Sequence, residues 1–166
     1  MTFTEYLKSI NACSDAVEWA ANKTVEEVVA TCHRGDWLLW LASKCDIGLQ
    51  PLTLAKGHCA NTVRHLLKDD RSIKAVDTAI AFGEGRATRE ELDAAYATAY
   101  GTYADADADA ADAAAAAAAA ASADAYYDAD AAAAIENRLQ TADICRKYIG
   151  DLIIQKVNSI TKPLNQ

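Results

Sequence analysis

The chain has 166 residues, 52% of them hydrophobic, and a formal net charge of −8. That length suits one domain with one core, and the acidic balance excludes a general duplex nucleic-acid surface, which needs a basic stripe. No run of about 18 strongly apolar residues occurs, so no membrane-spanning helix is expected.

Alanine inflates the hydrophobic fraction, and the effective core must come from the three Trp, Phe82 and the Leu, Ile and Val runs. Two prolines, seven glycines and few alternating β-branched runs point to an all-α chain. The expected architecture is a single-domain multi-helix bundle. Residues 1–93 form its helical core, 94–134 an Ala/Asp/Tyr-rich helical segment, and 135–157 a C-terminal core helix. The charge is uneven, since 104–134 carries seven Asp and neither Lys nor Arg. The five cysteines, Cys13, Cys32, Cys45, Cys59 and Cys145, are odd in number and irregularly spaced. With a polar N-terminus, they read as reduced thiols of a cytoplasmic protein and not as a disulfide framework.

In chain order, a short helix is expected from Thr4 to Ala12, then one capped by Ser14 and carrying Val17, Trp19 and Ala20. Thr24 and Glu27 make a capping box for a third helix with the stripe Val25, Val28, Val29. Gly35 breaks it and Asp36 can cap the next, where Trp37–Ala42 is apolar around most of its circumference. Such a helix reads as the hub of the bundle. Leu52, Ala55, Cys59, Val63 and Leu66 place one face of a helix running to Lys68. Asp69 or Asp70 caps a helix with the face Ile73, Val76, Ile80, closed by Gly83 and Gly85. Thr88 and Glu91 form another capping box. The Ala-rich tract that follows reads as one long helix or a helical hairpin. Ile135, Leu139, Ala142, Cys145, Ile149 and Leu152 then define the face of the last helix.

Several constellations carry chemical interest. His58 and His65, seven apart on one helix, with Cys59, Cys32 and His33 nearby, lack the spacing of a zinc site, so no metal is assigned. Asp105, Asp107, Asp109 and Asp112 echo a calcium loop, but Ala110 and Ala116 stand where it needs Gly and Glu. A solvated acidic face explains them. Arg34-Gly35-Asp36 reads as a helix break plus cap. Two features could hold an anion: the basic run Arg64, Lys68, Arg71, Lys74, and the Gly83–Thr88 turn with Arg86 and Thr88 at a helix N-terminus. Local ion pairs and an ordinary helix end explain the same residues. No nucleophile elbow, HExxH or similar motif occurs, so no catalytic residue and no cofactor are assigned.

Four segments carry a family resemblance: ACSDAVEWA (12–20), CHRGDWLLWLAS (32–43), AKGHCANTVRHLLKDDRSIKAVDTAIAFGEGRATREEL (55–92) and ADICRKYI (142–149). In order and wording they resemble the Imm5-like immunity proteins of bacteria and phages. The resemblance implies a non-enzymatic protein that binds and neutralises a protein effector, either a toxin or a host defence component. On the acidic tract the contacts would be Tyr96, Tyr100, Tyr103, Tyr126 and Tyr127, since hot spots favour aromatic anchors. Two alternatives stand beside it. One is a sponge for a signalling nucleotide, held by the basic run and the Gly83–Thr88 turn. The other is a structural homo-oligomer joined through the Ala-rich helix.

Overall fold

The computed structural model describes residues 1–100 and 131–162. Among them are eight α-helices, one 3-10 turn and no strand. The helices are α1 Phe3–Ser9, α2 Ser14–Trp19, α3 Val25–Thr31, α4 Gly35–Lys44, α5 Leu49–Asn61, α6 Asp70–Gly83, α7 Arg89–Tyr100 and α8 Ala131–Thr161. The protein is an all-α, bundle-like domain, as expected.

Local chemistry accounts for most helix starts. Thr24 Oγ1 accepts from the Glu27 amide while the Glu27 carboxylate accepts from the Thr24 amide. Thr88 and Glu91 repeat the arrangement at α7, and Asp69 caps α6 through the Arg71 amide. A further box, Thr2 with Glu5, starts α1 two residues from the chain end, ahead of the expected Thr4. Two expected caps are not used. Cys13 precedes α2 without a side-chain cap, and Arg34 holds the cap position of α4. Asp36 lies in the first turn of α4 and binds Arg34 instead. Between helices, Asn11, Asn22 and Asp46 take the left-handed conformation, which short polar side chains tolerate.

The element on which the others pack is α8, not α4. It runs against α1, α3, α4 and α5. Its buried line is Ala142, Cys145, Ile149, Ile153 and Val157. The expected stripe is right in its middle and wrong at both ends. Ile135 and Leu139 are 57% and 47% exposed, and the line continues through Ile153 instead of Leu152. From α4, Leu38, Leu41 and Ala42 enter the core.

An outer layer is formed by α6 and α7 on the far side of α5. A Cβ on Gly57 would meet Ile80 at 2.9 Å, and one on Gly83 would run into Leu54 Cβ. Those two contacts fix α5 and α6 as an antiparallel pair at close approach. Helix α5 stops at Asn61 and does not reach Lys68. There the Thr62 hydroxyl takes the Cys59 carbonyl, and the Thr62 and Val63 amides fall back on three-residue bonds. A 3-10 turn, Arg64–Leu66, follows. His58 and His65 therefore lie on different elements, and Leu66, expected inside, is 36% exposed.

Candidate functional site

The residues expected to bind an anion do not converge. Arg64, on the 3-10 turn, makes a two-pronged ion pair with Asp77 of α6. Arg71 is held by Asp69, and Arg86 by Glu84. Thr88 spends its hydroxyl on the Glu91 amide. Lys68 and Lys74 are exposed. Arg71 sits at the start of α6, Arg64 beside its middle through Asp77, and Arg86 beyond its end, the first and last roughly 20 Å apart at 1.5 Å per residue. Each arginine is matched by its own carboxylate, in exposed pairs that solvent screens. The pairing also holds Asp69 and Asp77 below the usual carboxylate range. The arginines are thus neutralised locally at separate points along α6, and the six residues do not form one site.

Of the tyrosines, Tyr96 is half-buried on α7 and Tyr100 ends that helix. Tyr103, Tyr126 and Tyr127 lie outside the described residues, as do the acidic run from Asp105 and the question of one helix or two. Among the described residues, no three of His, Cys, Asp and Glu gather to hold a metal ion. Cys59 and Cys145 approach to 3.9 Å in the core, where hydrogen bonding to Cys59 and burial push the Cys145 thiol far up.

A different site assembles where α2 and α4 meet. Trp19 ends α2, and Trp37 and Trp40 lie one turn apart on α4. Together they line a recess of about 450 Å³, floored by Phe3, Leu7, Val28, Leu38 and Leu41 and also lined by Asn11, Cys13 and Asp36. All three indoles are only half-buried. The volume falls in the range of small-ligand pockets, and so does the pattern of an apolar lining with few polar groups. The Trp19 and Trp37 rings stand 6.1 Å apart, tilted by 59°, and His33 meets Trp19 edge-on at 5.9 Å.

Each tryptophan carries a cation over its ring: Lys23 at 4.3 Å from Trp19, Arg34 at 4.8 Å from Trp37 and Lys44 at 5.9 Å from Trp40. Lys23 also donates to the Trp19 carbonyl, at the C-terminal end of α2, where a cation is favoured. Arg34 Nε and Nη2 reach the two Asp36 oxygens at 2.8 and 2.5 Å. Burial works against ionisation of Asp36, but this fork keeps its carboxyl below the usual value. On Cys32 at the floor, burial pushes the thiol up, which makes it a poor nucleophile.

Sequence reasoning placed these tryptophans in the core and missed the recess. The available signal was a basic residue about one helical turn from each Trp: Trp19 with Lys23, Trp37 with Arg34, Trp40 with Lys44. Comparison with family models, with curated proteins and with solved structures finds no match.

Proposed function

We propose that the protein is a non-enzymatic binding protein that neutralises a protein effector, as an immunity-type inhibitor or a phage-type antagonist of a defence component. The observation that carries the reading is the tryptophan recess. Three half-buried indoles, stiffened by cations and set over an apolar floor, are the residue type and geometry of an interface anchor site. A partner's apolar side chain would fill it, and the net charge of −8 favours encounter with a basic partner. The nucleotide reading draws less support, because the arginines it needs are matched by their own carboxylates at separate points along α6.

The test is co-expression with each of a panel of toxic protein effectors. Growth rescue is expected, and Trp19→Ala/Trp37→Ala should abolish it while helicity is retained. Failure to rescue would remove the neutraliser reading. Rescue by the double variant would move the contact away from the recess.

A further inference from the structure

We infer that the tryptophan recess binds a free, neutral, flat aromatic molecule of about two or three fused rings. Its size, its aromatic character and its lack of charge each follow from the lining.

The recess measures about 450 Å³, with Phe3, Trp19, Trp37 and Trp40 among its walls. An enclosed apolar cavity of about 150 Å³ takes one benzene, so the volume here suits a fused ring system. Trp19 and Trp37 stand 6.1 Å apart with their planes at 59°. A flat ring laid along one indole therefore meets the other tilted toward edge-on, and both arrangements are favourable between aromatic rings. A saturated body of the same outline gains only from the area it buries.

Charge is closed within the site. Asp36 is the one charged residue of the lining, and the Arg34 guanidinium takes both its oxygens. Lys23 donates to the Trp19 carbonyl and Lys44 stands in solvent, so neither supplies a charge to the interior. A ligand carboxylate would face Asp36 with no cation of its own. A ligand ammonium would have to displace Arg34, although aromatic cages otherwise suit such groups. Either charge would enter an apolar recess unmatched, which is costly.

This ligand goes beyond the effector reading and shares only its recess. Binding is measured with no effector present, so its failure would leave that reading standing. Cys13 supplies a reporter of position, because it lines the recess and is exposed while the other four cysteines are buried.

Four probes decide it by isothermal titration against the full chain: 2-naphthylmethanol, its saturated decahydro analogue, 2-naphthoate and (2-naphthylmethyl)trimethylammonium. Naphthylmethanol should bind more tightly than either ion by about tenfold or more, and more tightly than the saturated alcohol by about threefold. Asp36→Asn, which leaves Arg34 unmatched, should strengthen naphthoate and leave naphthylmethanol unchanged. Ala16→Leu should fill the recess and remove binding, and Trp37→Ala should do the same by deleting a wall, with circular dichroism confirming the fold of each. Saturating naphthylmethanol should slow alkylation of Cys13 by N-ethylmaleimide about fivefold. Four results would overturn the inference: an ion binding as tightly as naphthylmethanol, a saturated alcohol equal to the aromatic one, binding that leaves Cys13 unprotected, or no binding of any probe.

Discussion

Arg146 of α8 donates to the main-chain carbonyl of Cys32 at 2.7 Å, and the same Nη1 reaches the Val29 carbonyl at 3.4 Å. Cys32 follows the last residue of α3, so a guanidinium from the far end of the sequence closes the carbonyls that a helix end leaves open. Asp143, one turn earlier, holds the other side of the fork at 2.5 Å. Replacing Arg146 by Met keeps the aliphatic stem and removes the donors. The expected loss is about 1.5–3 kcal/mol, the range for hydrogen bonds from a charged group. Urea unfolding reads it, and a midpoint unchanged from the wild type would show the carbonyls to be served by solvent.

His58 and Tyr148 stack between α5 and α8, with ring centroids 4.5 Å apart and planes 5° from parallel. Burial, with Lys147 adding to it and Glu84 opposing, lowers the imidazole pKa below its ordinary 6.5. The folded state thus favours neutral His58. Its contribution is fully present above the unfolded pKa near 6.5 and is lost as pH falls through the lower, folded value. The wild type should lose stability relative to His58→Phe between pH 7.5 and 5. Chemical denaturation of both across that range checks it. Parallel curves would mean that the imidazole protonates at no cost in the stack.

Thr53 is fully buried on α5, and its hydroxyl finds no hydrogen-bond partner among the described residues. An unmatched buried hydroxyl is a standing penalty, while valine has nearly the same outline. Thr53→Val should raise stability by about 1 kcal/mol. A destabilised variant in thermal and urea unfolding would reveal a hidden acceptor.

Gly35 opens α4 directly against α8. A Cβ there would stand 2.5 Å from Thr141 Oγ1 and 2.7 Å from the Thr141 main-chain carbon. Two effects oppose in Gly35→Ala. Helix propensity favours alanine by about 1 kcal/mol, whereas overpacking costs about 1–3 kcal/mol. Because one of the clashing atoms is backbone, the steric cost should win. Thr141→Ala should fail to rescue the variant, since it removes only the hydroxyl and leaves the clashing Thr141 Cβ and main-chain carbon positions in place. Full rescue in a double-mutant unfolding series would locate the strain in the hydroxyl alone.

Much of the fold was written locally. Thr24 with Glu27, Thr88 with Glu91, and Asp69 announce their helices because a cap is settled within three residues. Ala142, Cys145 and Ile149 were legible because periodicity reports a face. What that pattern misses is where a face stops being covered, as at Leu139, or where it drifts, as at Ile153. The end of α5 turned on one hydroxyl, that of Thr62, which binds Cys59 and accepts from Asn137 of α8 at 2.7 Å. The recess was the least legible feature. Trp19 reaches it from α2 and Trp37 from α4, and composition alone sends a tryptophan to the core. For the basic run, the local ion pairs that the sequence offered are what the structure shows: Asp69 beside Arg71 and Glu84 beside Arg86 are near in sequence, whereas Asp77 reaches Arg64 across a turn that spacing did not place.

All three tryptophans of the chain line that one recess. Indole emission is therefore a gauge mounted at a single point, over α2 and α4, and α6 and α7 lie beyond its view. If the outer pair melts before the rest, helical ellipticity will fall while fluorescence holds steady. Two superimposable denaturation curves would instead certify one cooperative unit.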